Sequence, residues 1–183
     1  MSTTQKNLVK AFLIESKNQN LFDYFSSQAK KEGYIKIEKV FEEIASHEKS
    51  HSKNFLRLIN IEKIDLEFEY HNLPIKDTKT NIINIIREIE RIINLYDEFI
   101  ETAKEEKLNK EVTKIKSIKI AHEYRLIELR KILSDIDNNL IFKSKEKRAW
   151  KCIKCGYIHE SKHPPEVCPA CGHPKGYFEK IIL

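Results

Sequence analysis

Four cysteines near the C-terminal end are the residues whose type and spacing point most directly to chemistry. They form two Cys-x-x-Cys pairs, Cys152 with Cys155 and Cys168 with Cys171, and residues 156–167 separate the pairs. Four thiolates at this spacing are the ligand set of a tetrahedral zinc or iron site. A segment of roughly 40 residues or fewer cannot bury enough apolar surface to fold alone. The pattern therefore predicts a small metal-stabilised module, and the spacing alone leaves the choice between iron and zinc open.

A second candidate site consists of ionisable side chains on otherwise apolar helical stripes. Such groups are costly in a helical core unless they are paired or bound to metal. Ferritin-like di-iron proteins take one Glu from each of two helices and a Glu-x-x-His from each of the other two. Glu48 and His51 form one Glu-x-x-His, whose i, i+3 spacing places both side chains on one helix face. The candidate bundle ligands are Glu15, Glu48, His51, Glu88 and His122.

The elements that must position these residues follow from the distribution of Gly, Pro and apolar residues. Residues 1–138 hold one Gly and one Pro, whereas the remaining three Gly and four Pro lie after residue 150. Apolar periodicity predicts four long helices joined by a single long crossover that contains Pro74. This arrangement indicates a mainly α protein, a ferritin-like four-helix bundle. The predicted helices cover residues 3–31, 34–62, 79–106 and 109–136.

Composition narrows the possible function classes. The chain has 183 residues and a net charge of +5, with both signs interspersed, which favours a solvated surface over a nucleic-acid interface. We find no apolar run of signal-peptide or membrane-span length. Cysteines confined to a metal pattern favour a reducing cytoplasm. No dinucleotide-binding fingerprint is present, so a separate reductase would have to supply electrons.

Two segments resemble rubrerythrin. They read NLVKAFLIESKNQNLFDYFSSQAKKEGYIKIEKVFEEIASHEKSHSK at residues 7–53 and WKCIKCGYIHESKHPPEVCPACGHPKGYFE at residues 150–179. The resemblance implies three parts: a bundle over residues 1–138, a linker over 139–149 and a rubredoxin-like iron domain over 150–183. It also implies a non-haem iron peroxidase of oxidative-stress defence. In that family a di-iron centre reduces hydrogen peroxide, the rubredoxin iron supplies electrons, and the protein is a homodimer. The five bundle residues named above match family iron ligands.

Two positions depart from that family pattern. Arg91 and Lys119 stand where the family has carboxylate ligands on the third and fourth helices. The match at Lys119 requires a short deletion, and an ungapped match would instead place His122 and Arg125 at the Glu and His positions of the fourth helix. We expect Arg91 and Lys119 to pair with Glu15, Glu48 and Glu88 in place of the irons. The substitutions predict a degenerate di-iron site, and they leave open whether the bundle holds no metal, one metal at Glu15, Glu48 and His51, or two.

The functional prediction is electron transfer through a four-cysteine iron, linked to hydrogen peroxide reduction. Arg91 and Lys119 put the peroxidase step in question, so a catalytic assignment stays open. An alternative is a non-catalytic electron carrier or interaction protein whose bundle is a metal-free dimerisation scaffold. Zinc in the cysteine site would leave a purely structural module. Trp150, Tyr157 and Phe178 are predicted to form the small core of that module.

Overall fold

The chain folds into four long helices followed by a small three-stranded sheet. The computed structural model describes residues 2–181; residues 1, 182 and 183 of the predicted domains lie outside this range. This architecture confirms the predicted mainly α class and ferritin-like bundle. Within the described range, no helix is both long and apolar enough to cross a membrane. The elements are α1 (Thr3–Lys31), α2 (Ile35–Leu56), α3 (Thr78–Glu105), α4 (Asn109–Asp137), β1 (Arg148–Cys152), β2 (Ile158–Ser161) and β3 (Phe178–Lys180).

Local signals set the ends of these helices. At the start of α1 the Ser2 hydroxyl accepts the Gln5 backbone N–H, and at the start of α3 Asp77 accepts that of Thr80. Gly33, with φ of +80°, lies between α1 and α2, a backbone conformation that side chains disfavour. The Tyr34 N–H then bonds the Ala29 carbonyl at 2.9 Å, which completes a helix C-cap. The chain therefore reverses direction within a few residues at Gly33.

The second helix is shorter than its periodicity predicts. The apolar periodicity predicts a helix that reaches residue 62, but α2 ends at Leu56. A tertiary contact is the reason: the Gln5 side chain donates to the Leu58 carbonyl at 3.2 Å and accepts the Asn60 N–H at 3.0 Å. Those bonds hold the backbone after α2 against α1 in a non-helical path. Leu58 is buried in the core although it lies beyond the end of the helix, so the apolar pattern continues where the helix does not.

The packing of the helices places a polar layer inside the bundle. Helix α1 packs chiefly on α2, and α3 on α4, with α1 also contacting α3 and α2 contacting α4. Two apolar clusters fill the interior, one including Phe22, Phe41 and Ile85, the other including Phe55 and Ile118. Along α1, α2 and α4 the inward ionisable residues fall between members of the two clusters. The polar site is therefore enclosed above and below by apolar side chains.

The C-terminal domain is an antiparallel sheet with strand order β2-β1-β3. Trp150 and Phe178 are buried in one cluster with Cys152 and Cys168, and Tyr157 packs against it, which confirms the predicted core. The domain approaches the bundle closely at one point. A Cβ on Gly176 would lie 2.2 Å from the carbonyl oxygen of Gly33, so only glycine permits this contact.

Candidate metal centres

The four cysteine sulfurs already lie at the spacing of a tetrahedral metal site. The Sγ atoms of Cys152 and Cys171 are 3.7 Å apart, as are those of Cys155 and Cys168. All four lie within 4.8 Å of one another, and none forms a disulfide. A tetrahedron with metal–sulfur bonds of about 2.3 Å has edges of about 3.8 Å. The donor set therefore fits one iron, with every coordination position filled by protein sulfur.

Two glycine turns shape this site. Gly156 and Gly172 each follow a Cys-x-x-Cys pair, with φ of +78° and +72°. Each donates its backbone N–H to the first cysteine of its pair, to the carbonyls of Cys152 at 2.8 Å and Cys168 at 2.9 Å. The positive φ lets the chain turn back around the sulfurs without steric strain. The two halves of the site are thus built alike.

Backbone amides also help to stabilise the thiolate form of Cys168. Desolvation opposes ionisation of Cys168, but the N–H groups of Ala170 and Cys171, together with the thiols of Cys171 and Cys155, outweigh it and lower the pKa of Cys168 to about 7. Thiolate is the form that binds metal. Hydrogen bonds to sulfur also tune the reduction potential of a bound iron.

The bundle holds a second cluster of donor atoms from α1, α2 and α4. Glu15, Glu48, His51 and His122 each place one ligand atom within 4.8 Å of the others. The two carboxylates and His122 are fully buried, and His51 is slightly exposed. Four of the five predicted bundle ligands therefore meet, and Glu88 is not part of this group.

Glu15 lies at the centre of the hydrogen-bond network. Its Oε1 accepts from the Tyr96 hydroxyl and from His122 Nε2, the latter at 2.9 Å. Its Oε2 lies 3.3 Å from His51 Nδ1. Burial raises the pKa of Glu15, but its interactions with His122 and His51 outweigh burial and hold that pKa well below the usual value. Glu15 is therefore an ionised carboxylate inside the bundle.

Arg125 is the buried cation of this network. Its Nη1 donates to Oε1 of Glu48 and, at 3.0 Å, to Nδ1 of His122. Because a guanidinium has no acceptor, Nδ1 of His122 must be unprotonated and Nε2 must carry the proton that Glu15 accepts. Burial lowers the pKa of His122, in agreement with a neutral ring. Both ring nitrogens of His122 are thus committed to protein partners.

One carboxylate oxygen in the cluster has no protein partner. Oε2 of Glu48 is buried without a hydrogen bond among the described residues. Burial and the nearby charge of Glu15 raise the pKa of Glu48 well above its usual value, against the opposing effect of Arg125. A buried acceptor without a donor is costly in a native protein. This oxygen is therefore the atom at which the network is incomplete.

Lys119 does not occupy the position that the sequence suggested. The expectation that it pairs with the buried glutamates is wrong, because its Nζ binds Asp97 at 2.5 Å and Glu123 at 3.5 Å. Lys119 lies on the flank of α4 that faces α3, whereas His122 and Arg125 lie on the inward stripe. The structure thus agrees with the ungapped alternative, in which His122 and Arg125 take the inward positions.

Glu88 and Arg91 form a separate ion pair. Arg91 contacts both Glu88 oxygens, at 2.9 and 3.0 Å, and Lys17 Nζ lies 2.5 Å from one of them. Burial raises the pKa of Glu88, but these two cations outweigh it and lower that pKa. The expected pairing of Arg91 with a glutamate is therefore present, and two cations already neutralise this predicted ligand.

These contacts test whether the bundle suits a pair of irons. Two metal ions need several carboxylates and two histidines as ligands. Here Glu88 is bound by two cations, and both ring nitrogens of His122 already have protein partners. Arg125 adds a positive charge that would repel a metal ion bound nearby. The residues of the bundle do not fit a di-iron centre in this arrangement.

Comparison with known proteins identifies the family. The family model "Rubrerythrin" matches residues 6–129, and the model "Rubrerythrin, rubredoxin-like domain" matches residues 150–179. The chain belongs to the rubrerythrin family. It is 36% identical to rubrerythrin-1 of Clostridium acetobutylicum over 181 residues, covering 96% of this chain and 93% of that protein. It is 37% identical to the rubrerythrin of Porphyromonas gingivalis, covering 98% and 90% respectively.

Solved structures of nigerythrin share the fold. The mixed-valence form matches with a TM-score of 0.63 at 25% identity, covering 99% of this chain and 88% of that one. The rubredoxin-like domain with its four cysteines is a metal-binding arrangement consistent with iron. The bundle of this chain retains a cluster of four residues that could hold a metal ion, although they do not fit a pair of irons.

Sequence reasoning missed two members of the site. The sequence gives no signal for Tyr96, because a phenol on the apolar stripe of the third helix resembles an ordinary core residue. Arg125 was considered only as part of the alternative match. Its signal was positional, since it lies three residues after His122 and four before Leu129, both of which are buried.

Proposed function

We propose that this rubrerythrin carries single electrons at an iron held by its four cysteines, in support of hydrogen peroxide reduction and oxidative-stress defence. The observation that supports this most directly is the tetrahedral spacing of four unbridged sulfurs. An iron bound by four thiolates supplies one-electron chemistry without an open position for substrate. A reducing compartment such as the cytoplasm would keep these thiols available.

The protein around the sulfurs favours rapid one-electron exchange. Cys152 and Cys168 are buried against Trp150 and Phe178, which keeps their positions fixed in both oxidation states. Cys155 is exposed, so one edge of the site faces solvent and a reducing partner. Rigid ligands with one exposed edge are what electron entry requires.

The bundle supports only weak peroxide turnover in this proposal. Arg125 binds Glu48, and Arg91 binds Glu88. Neither carboxylate is therefore free to act as a full ligand in a two-metal site. A second candidate function, favoured by the same buried Arg125, is a non-catalytic electron carrier whose bundle is a metal-free dimerisation scaffold. The two candidates share the cysteine site and differ in what the bundle binds.

A homodimer and a separate reductase complete the proposed function. The C-terminal domain contacts the start of α2, where Lys36 lies 3.7 Å from Glu179. From Ile37 to Glu48, helix α2 rises about 16 Å at 1.5 Å per residue. The two centres of one chain therefore lie well apart. A head-to-tail partner would bring a second cysteine site closer to the bundle centre.

Metal analysis and visible spectroscopy test the proposal. Protein purified without oxygen should contain about one iron in the cysteine site per chain, and it should be red when ferric and colourless when reduced. Cys168→Ser should abolish the colour, whereas Lys154→Ala, on the exposed turn beside Cys155, should not. Peroxide should reoxidise the reduced protein slowly. A colourless protein that holds zinc in this site would contradict the proposal.

A further inference from the structure

Three residues of the bundle each retain one ligand atom without a strong internal bond. In Glu15 it is Oε2, whose contact with His51 Nδ1 is long at 3.3 Å. In Glu48 it is the buried Oε2, which has no hydrogen-bond partner among residues 2–181. In His51 it is Nδ1, which lies 3.8 Å from Oε1 of Glu48, the oxygen to which Arg125 donates. The three residues come from two neighbouring helices, and one ligand atom of each lies within 4.8 Å of the others.

The remaining polar groups hold these three in place. Tyr96 and His122 bind the other oxygen of Glu15, and Arg125 binds the other oxygen of Glu48. Partners of this kind orient the ligands of a metal and tune their basicity. The tautomer imposed by Arg125 makes His122 a donor to Glu15, which excludes it as a ligand but suits it as a positioning residue.

Charge favours one divalent ion over two. Glu15 and Glu48 contribute two negative charges when ionised, and Arg125 contributes one positive charge, so the cluster attracts a first dication. A second would enter a site that is already positive, at short distance and in a medium of low dielectric constant. Two carboxylates and one imidazole are ligands suited to divalent iron, manganese and zinc.

We propose that Glu15, Glu48 and His51 bind a single divalent transition-metal ion, with the guanidinium of Arg125 standing in the place of a second. This site is independent of electron transfer at the cysteines, and it contradicts the metal-free scaffold. The slight exposure of His51 gives the ion a route from solvent.

A cobalt titration tests the stoichiometry. The starting protein carries zinc in its four-cysteine site, because zinc binds such sites more tightly than cobalt and is spectroscopically silent. Isothermal titration calorimetry with Co²⁺ should give one ion bound per chain. The visible spectrum of the bound Co²⁺ should show the weak bands typical of oxygen and nitrogen ligands and no sulfur charge-transfer band. His51→Leu should weaken binding at least 100-fold. Lys119→Ala should leave it unchanged, because Lys119 binds Asp97.

A second measurement addresses the role of His122. In ¹⁵N NMR spectra of protein titrated with Zn²⁺, the Nε2 proton of His122 should persist after the bundle ion binds. Loss of that proton on metal binding would overturn the assignment of His122. Two cobalt ions per chain, none, or full affinity in the folded His51→Leu variant would each overturn the site itself. Glu48→Gln provides a second ligand variant, with circular dichroism to show that it folds.

Discussion

The guanidinium of Arg125 donates to Nδ1 of His122 at 3.0 Å, and this contact determines what the imidazole can do. A metal-bound histidine normally donates its other N–H to an acceptor. In this protein Nδ1 of His122 faces a donor, so the proton resides on Nε2. That N–H donates a hydrogen bond to Glu15. One arginine thus makes His122 a fixed hydrogen-bond donor.

Removing Arg125 should strongly destabilise the metal-free bundle. The change Arg125→Met leaves Oε1 of Glu48 and Nδ1 of His122, both buried, without their hydrogen-bond donor. Each group left unsatisfied costs about 1–3 kcal/mol in the free energy of unfolding. Denaturant unfolding followed by far-UV circular dichroism measures this loss. The control is Arg130→Met on the same helix, whose exposed pair with Glu90 is worth about 0–1 kcal/mol. Equal losses in the two variants would contradict a buried structural role for Arg125.

Local patterns were sufficient to predict most of the fold. Gly33, Pro74 and the apolar periodicity of four segments located the helices, because each signal acts within a few residues. The end of α2 was missed because Gln5, distant in sequence, binds the backbone at Leu58 and Asn60. A long-range hydrogen bond leaves no trace in the periodicity of the helix that it ends.

The bundle site was harder to predict than the cysteine site for a related reason. Four cysteines identify themselves by type and spacing. The inward stripe of α4 depends instead on how that helix is rotated, and a rotation of one position exchanges Lys119 for Arg125 as the buried cation. Packing against the other three helices determines this rotation, through contacts such as His122 on Glu15 and Arg125 on Glu48.

The ion pair of Glu88 should make stability depend on pH in the acidic range. The folded pKa of Glu88 is lowered, because Arg91 and Lys17 outweigh the opposing effect of burial. Its contribution is therefore present above the unfolded pKa of about 4.3 and is lost as pH falls through the folded pKa.

The variant Glu88→Gln isolates this contribution. Its free energy of unfolding should fall less than that of the natural protein between pH 6 and pH 3, with proton uptake on unfolding reduced by up to about one proton. Glu90→Gln, in an exposed pair, is the matched control. Parallel pH profiles for the natural protein and Glu88→Gln would show that Glu88 is not held ionised by its neighbours.

Removing the metal should unfold the C-terminal domain and leave the bundle helical. Structural metal sites contribute their binding free energy to folding, and this domain is too small to fold without it. Trp150 is the only tryptophan and is fully buried beside Cys152, so its fluorescence reports on this domain alone. A strong chelator should shift the emission to the red, with little change in helical circular dichroism. Unchanged emission in metal-free protein would show that the domain folds without its ion.

The contact between Gly176 and Gly33 should control how the C-terminal domain packs on the bundle. The variant Gly176→Ala places a methyl group where only 2.2 Å is available to the Gly33 carbonyl oxygen, so the two backbones must separate. We expect a cost of about 1–3 kcal/mol in the free energy of this contact.

Amide hydrogen exchange in residues 32–37 and 174–178 should then accelerate about 5- to 150-fold. Lys175→Ala is the control, since it removes only an exposed pair with Glu166 at 3.0 Å. Exchange at the same rate in both variants would mean that the domain does not depend on this contact for its position.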